Sequence, residues 1–301
     1  MFEGLSVAIV TPMQEGRVDS GALDRLIDHL LQGGVEGFLP CGTTGEGATL
    51  TPEERRQVIS RVVQRTRGRA WVCPGTGSND TATTIENTRL ARELGADGAL
   101  VVTPYYNKPT QEGLSAHFEA VARAVDLPLI VYNVPSRTSV NLLPETVAQL
   151  APLPQIVAVK EAAGSLDQVT ELCRGTDLCI LSGDDSLTLP MLSVGARGVI
   201  SVLGHLTPGA IRRMIAAHQA GKHEEARRLH QELYPLTKAL FVETNPAPVK
   251  FALARLGLIH DELRLPLVPL SAKHAPRVEA ELDRIDTTLL HRPGSLSGAA
   301  R

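Results

Sequence analysis

The amino-acid sequence predicts an α/β protein built as a (β/α)8 barrel with a helical appendage at its C-terminal end. Three observations carry the prediction. Eight short apolar, often β-branched runs recur along the 301 residues: LSVAIV, GFLPCG, AWVCPG, ALVVTP, LPLIVY, IVAVKE, CILSGD and GVISV. Between many of them lie amphipathic stretches whose apolar residues return at helical spacing. No G-x-G-x-x-G fingerprint follows the first run, where a doubly wound sheet would normally carry one.

The elements follow in order. The first run passes through TPMQEG to a helix over Ser20 to Leu31, and the second closes on Cys41-Gly42-Thr43-Thr44-Gly45-Glu46 before a helix over Pro52 to Thr66. The third precedes a helix over Thr81 to Leu94. The fourth ends in Thr103-Pro104-Tyr105-Tyr106-Asn107 and leads to a helix over Gln111 to Val125. The fifth ends in Tyr132-Asn133-Val134-Pro135-Ser136-Arg137-Thr138, the sixth in Lys160-Glu161, and the seventh in Ser182-Gly183-Asp184-Asp185; the eighth precedes a helix over Pro208 to Ala220. Near-continuous apolar strands imply a parallel sheet covered on its faces, and units of about 25 residues suit closure into a barrel. Residues 1–222 are therefore expected to form the barrel. Residues 223–292 are expected to form a helical domain, with helices near 223–240, 246–257 and 271–290. The small, polar, glycine-containing end, 293–301, is expected to be disordered.

Composition narrows the function. The chain is 43% hydrophobic, 21% charged and 3% aromatic, with a formal net charge of −3. That balance is ordinary for a globular protein and unlike the basic surface that neutralises nucleic-acid phosphates. Cys41, Cys73, Cys173 and Cys179 form no C-x-x-C pair and read as reduced core residues. No run reaches the roughly 18 to 20 apolar residues of a membrane span, and Glu3 stands where a secretory leader would be basic, so a cytoplasmic protein is expected.

In a barrel of this kind the reactive groups sit at the C-terminal ends of the strands. Alternation along Ile156-Val157-Ala158-Val159-Lys160 sets Ala158 and Lys160 on one face and the two valines on the other. If the valines pack on helices, Lys160 points into the barrel. A strand-end lysine elsewhere would snorkel to solvent. A carbonyl-trapping amine must be partly neutral, with a pKa near 7 to 8 instead of about 10.4, and desolvation in a barrel mouth supplies that shift. Tyr106 and Tyr132, from two other strand ends, offer phenols for proton relay, although a single tyrosine is commonly a half-buried packing residue. Arg137 carries a planar fork suited to a carboxylate, against the alternative of a surface ion pair. Thr43 and Thr44, between glycines, offer N–H and hydroxyl groups to a keto acid, or form a plain turn.

Seven strings in register carry a family resemblance: GTTGE (42–46), TPYYN (103–107), YNVPSRT (132–138), KEAAG (160–164), LSGDD (181–185), GVISV (198–202) and FVETNPAPVK (241–250). From about residue 2 to residue 270 the chain resembles the dihydrodipicolinate synthase family. The resemblance implies a Schiff-base lyase without a cofactor. Lys160 would form an imine with pyruvate, and the derived enamine would attack aspartate semialdehyde to give hydroxy-tetrahydrodipicolinate on the lysine and diaminopimelate pathway. It also implies a proton relay of Thr44, Tyr132 and Tyr106, the last supplied across a dimer interface, within a homotetramer made as a dimer of dimers. Carboxylate binding falls to Arg137, pyruvate contacts to Thr43 and Thr44, and a backbone carbonyl near the lysine to Ile200.

Family members inhibited by lysine carry polar residues in a cleft at the dimer interface. Asn79 and Tyr105 fit that pattern, whereas Gly47, Pro52, Arg55 and Thr83 stand where strongly inhibited members tend to have Ser, His, His and Glu. Weak or absent inhibition is expected. Gly204-His205-Leu206 also departs from the small, Asn-containing turn of relatives.

Three other readings compete. A sister aldolase acting on N-acetylneuraminate or a 2-keto-3-deoxy sugar acid shares the lysine, a tyrosine and GTTGE, but usually lacks an equivalent of Arg137. A metal-dependent aldolase needs clustered histidines, yet the nine here are scattered and the useful pair, His218 and His223, lies in helical sequence. A barrel serving only as a sensor would be expected to have lost the lysine, tyrosine or arginine.

Overall fold

The computed structural model describes residues 2–293. Eight parallel strands form its centre: β1 (Gly4–Val7), β2 (Gly37–Phe38), β3 (Trp71–Val72), β4 (Ala99–Val102), β5 (Leu129–Asn133), β6 (Ile156–Glu161), β7 (Cys179–Ser182) and β8 (Gly198–Ser201). They are hydrogen-bonded in the order β3-β2-β1-β8-β7-β6-β5-β4. A parallel bridge between Gly75 and Leu100 joins the two ends and closes the barrel. The helices outside it are α1 (Ser20–Gln32), α2 (Pro52–Thr66), α3 (Thr81–Glu93), α4 (Gln111–Ala124), α5 (Pro144–Leu150), α6 (Leu166–Gly175), α7 (Thr188–Ser193) and α8 (Pro208–Gln219).

Local chemistry explains where α1, α2, α3, α4 and α6 begin. Asp19, Thr51, Asp80, Thr110 and Ser165 each accept a backbone N–H from the first turn of the helix they precede. Satisfying one orphan donor in this way contributes about 1 kcal/mol per cap. At α2 the arrangement is reciprocal, because Glu54 reaches back to the N–H of Thr51 at 3.0 Å.

Side-chain alternation then separates two layers. Leu5, Val7, Leu129, Val131, Val159, Ile180 and Val199 point outward into apolar clusters shared with the helices. Leu39, Leu100, Ile130, Tyr132, Ala158, Leu181 and Ile200 point inward and fill the barrel. Val157 departs from the simple alternation: it packs against the interior cluster instead of the helices. The register of β5 against β6 slips here, Leu129 pairing with Ile156 and Ile130 with Ala158, and the extra residue of this bulge turns Val157 inward. Beyond the bulge the alternation resumes, with Val159 outside and Lys160 inside.

Three helices follow the barrel: α9 (His223–Ala239), α10 (Ala247–Arg255) and α11 (Ala275–Arg284). Leu229, Leu233, Leu253, Val278 and Leu282 from these helices belong to the same apolar cluster as α1 and α8. The last helix is shorter than the span 271–290. Apolar Ile285, Leu289 and Leu290 extend the burial past its end without helical backbone. Of the expected tail, residues 294–301 lie outside the described residues. No described helix is long and apolar enough to cross a membrane.

Candidate active site

Barrel closure places the ends of all eight strands around one opening, and a cavity of about 750 Å³ lies there. Thr43, Thr44, Tyr132, Arg137, Lys160 and Ile200 all line it. Tyr105 lines it as well. Tyr106 does not: its side chain is 89% exposed, on a backbone with φ of 74°. Asn79 also lies off this cavity, its carbonyl accepting from the Asn107 amide at 2.8 Å.

The parallel register sets Tyr132 directly beside Lys160. The lysine Nζ lies 4.2 Å from the centroid of the Tyr132 ring. Lys160 is only 6% exposed. Burial is the main reason its pKa falls from 10.5 to about 7; the Asp185 carboxylate opposes the fall and the Arg137 guanidinium adds to it. Burial also pushes the Tyr132 phenol up to about 12, against the pull of Arg137. Gly183 makes room for the lysine, since a Cβ there would stand 3.1 Å from Lys160 Cε and 2.9 Å from Ala162 Cβ.

Buried carboxylates flank the lysine. Asp185 accepts from the backbone N–H groups of Val202 at 2.8 Å and Leu203 at 3.0 Å, and from the Ser201 hydroxyl. Burial raises its pKa while these donors oppose the rise. Glu161, also raised by burial, accepts from the side-chain amides of Asn133 and Gln168 and from the N–H of Ala163. These bonds fix the ends of β5 and β6, and with them Tyr132 and Lys160.

The loop after β2 is tightly folded. Cys41 and Glu46 adopt φ of 59° and 52°. Gly47 must be glycine for space, because a Cβ would sit 2.0 Å from the Cys41 carbonyl. Two contacts from the segment at α10 hold this loop. The Asn245 amide donates to Thr44 Oγ1 at 2.9 Å, and the ammonium of Lys250, wholly buried, pairs with the Glu46 carboxylate. Lys250 also donates to the Glu262 carbonyl at 2.6 Å, while Glu46 accepts the N–H of Arg264 at 3.0 Å.

Sequence reasoning singled out the strings containing Glu46, Asn245 and Lys250 without giving these residues a role. The available signal was a lysine inside the apolar run PAPVKFALA, which demands a buried counter-charge. His205, in the departing turn, is fully buried. Its Nε2 accepts the Val10 N–H at 3.1 Å, so the neutral ring carries its proton on Nδ1 and donates to the Val202 carbonyl at 2.8 Å. Burial lowers its pKa to about 4, which keeps this bridge between the ends of β1 and β8 neutral.

The arrangement matches known proteins along nearly its whole length. The model of the dihydrodipicolinate synthetase family matches residues 1–285. The chain belongs to that family. A 4-hydroxy-tetrahydrodipicolinate synthase of Geotalea daltonii is 54% identical over 274 residues, covering 90% of this chain and 94% of the relative. The synthase of that name from Thermomicrobium roseum is 50% identical over 297 residues, covering 97% of this chain and 98% of its own. The crystal structure of dihydrodipicolinate synthase from Aquifex aeolicus superposes with a TM-score of 0.92 at 46% identity, over 94% of this chain and 97% of the other. As a dihydrodipicolinate synthetase family member the chain is an enzyme, and the cavity with Lys160 is its candidate active site. Among the described residues no cluster of three or more His, Cys, Asp or Glu side chains is arranged to hold a metal ion.

The buried pair behind the Thr43–Thr44 loop generates a stability prediction. Lys250→Met strands Glu46 without its partner and is expected to cost about 3–5 kcal/mol in urea unfolding. The double variant with Glu46→Leu is expected to be less destabilised than Lys250→Met. A single variant as stable as the parent would show that the pair does not hold this loop.

Proposed function

We propose that this chain condenses pyruvate with L-aspartate 4-semialdehyde to 4-hydroxy-tetrahydrodipicolinate, acting as a carbon–oxygen lyase with Lys160 as the covalent nucleophile. The observation that carries the proposal is a buried amine with a pKa near 7, beside a phenol at the floor of a cavity of about 750 Å³. The names carried by relatives at 50–54% identity support the choice of substrates.

The reaction uses the neutral fraction of Lys160. Its Nζ attacks C2 of pyruvate, the N–C bond forms, and the carbonyl pair moves to oxygen while nitrogen gives up a proton and oxygen gains one. Water then leaves with a delivered proton, and the nitrogen lone pair closes the iminium. Loss of a proton from C3 yields the enamine, whose C3 attacks the aldehyde carbon as its oxygen takes a proton. Closure of the substrate amine on C2 expels Lys160 and forms the ring. Thr43 and Thr44 hold the pyruvate carboxylate, the Ile200 carbonyl lies near the lysine, and Arg137 takes the carboxylate of the second substrate.

In this reading Tyr132 and Thr44 pass protons to and from the carbinolamine, and Tyr106 of the partner subunit completes the relay. The exposure of Tyr106, and its absence from the cavity lining of its own chain, favour supply in trans. A dimer of dimers is the assembly proposed.

The lysine-inhibition site proposed from Asn79 and Tyr105 is altered by Arg55. Its guanidinium donates to the carbonyls of Gly75 and Gly47, each at 2.8 Å, and Arg55 lines the same cavity as Thr83 and Tyr105. A fixed positive charge there repels the ammonium groups of lysine.

Three outcomes test these statements. Borohydride reduction in the presence of pyruvate is expected to add a pyruvate-derived mass to Lys160, with the trapping rate rising as pH passes through about 7; the absence of an adduct overturns the nucleophile. Mixed oligomers of Lys160→Ala and Tyr106→Phe chains are expected to regain activity that neither variant has alone, because one site in a mixed dimer then has both groups. No regain places Tyr106 in cis or outside the reaction. Lysine is expected to leave turnover unchanged at sub-millimolar concentration, and measurable inhibition there contradicts the effect assigned to Arg55.

A further inference from the structure

We propose that Asn245 is a positioning residue for the proton relay: by donating to Thr44 Oγ1, its side-chain amide leaves the Thr44 hydroxyl proton free to be passed to Tyr132. The inference rests on the reaction proposed above and deepens it.

Asn245 lies outside the strands, immediately before α10, yet it lines the active-site cavity and is 5% exposed. Its Nδ2 is 2.9 Å from Thr44 Oγ1, 201 residues earlier in the chain. This is the single side-chain hydrogen bond of Thr44 among the described residues. Five residues on, Lys250 is clamped to Glu46, so the segment from 245 to 250 meets the segment from 44 to 46 at two points. The amide is therefore held by more than its own contact.

The direction of the hydrogen bond matters because a hydroxyl has one proton and two lone pairs. With the amide as donor, one lone pair of Thr44 is occupied, the other can accept an incoming proton, and the threonine proton can be given away. With the amide reversed, Thr44 would spend its proton on Oδ1 and the relay would stop. The orientation with Nδ2 on Thr44 uses one of the two N–H groups and leaves Oδ1 buried and without a partner among the described residues. Reversal would instead orphan the two N–H donors of the amide, and buried orphan donors are rarer than under-satisfied carbonyls.

The donor also helps at the moment of transfer. As the carbinolamine oxygen departs as water, it takes the Tyr132 proton, Tyr132 takes that of Thr44, and Thr44 takes one from the partner subunit's Tyr106. Tyr132 and Thr44 each lose and gain one proton, the departing oxygen gains one, and the solvent-exposed Tyr106 is reprotonated by water, so the chain is balanced. Negative charge builds on Thr44 Oγ1 whenever its proton leaves before the next arrives, and a preorganised N–H aimed at that atom stabilises it.

The test is a double-mutant cycle in the full-length chain with Thr44→Val. Asn245→Ala and the isosteric, acceptor-only Asn245→Asp are each expected to lower kcat about 10- to 100-fold, at or below the lower end of the range for proton transfer by a group acting directly, with pyruvate KM changed less than about threefold. The solvent deuterium effect on kcat is expected to rise in both. In the Thr44→Val background neither substitution is expected to lower kcat further, because the group it acts through is gone. If Asn245→Ala does not fold, Asn245→Asp carries the cycle alone. Wild-type kcat in Asn245→Asp would overturn the donor assignment, and losses that multiply with that of Thr44→Val would overturn the action through Thr44. Failure of the underlying reaction is read separately, as the lack of a trapped pyruvate adduct on the unsubstituted chain.

Discussion

Desolvation of one amine is the constraint on which the structure depends. Closing eight strands into a barrel removes Lys160 from water, and its pKa falls from 10.5 to about 7. The protonated form is thereby disfavoured by roughly 5 kcal/mol, at 1.36 kcal/mol for each tenfold change. An unfolded chain keeps the ordinary value, so between about pH 7 and 10.5 it binds more protons than the folded chain. Stability therefore rises with pH across that window, and at neutral pH the lysine works against folding. The same desolvation that makes the amine nucleophilic must be offset elsewhere.

The offset is found around the rim. Asp185, its carboxylate held by three donors, opposes the fall in the lysine's pKa. His205 stays neutral and joins the ends of β1 and β8. The helical segment beyond the barrel reaches back to hold the Thr43–Thr44 loop through Asn245 and through the Glu46–Lys250 pair. That segment thus belongs to the site's architecture as much as to the apolar core it shares with α1 and α8.

Much of this was legible in the sequence where the causes are local. Short, near-continuous apolar runs marked the eight strands. Helices α2 and α3 run Pro52–Thr66 and Thr81–Glu93, within one residue of the expected spans, because Thr51 and Asp80 cap their starts. Alternation along β6 aimed Lys160 inward correctly but misplaced Val157, since a bulge depends on the neighbouring strand. Asn245, Lys250 and His205 were not assigned roles for a related reason. Their partners are 201, 204 and 195 residues away, and no periodicity within a segment reports contacts of that range. Tyr106 could be placed on a strand-end loop, but its exposure and positive φ emerge only from the folded chain.

The folded barrel lowers the Lys160 pKa far enough for neutral and protonated forms to coexist near pH 7. Nitrogen NMR of protein labelled at lysine Nζ, with the Lys160 signal assigned from a Lys160→Met sample, measures its titration directly. The account predicts a midpoint near 7. A midpoint near 10.5, the value of a solvated lysine, would contradict it.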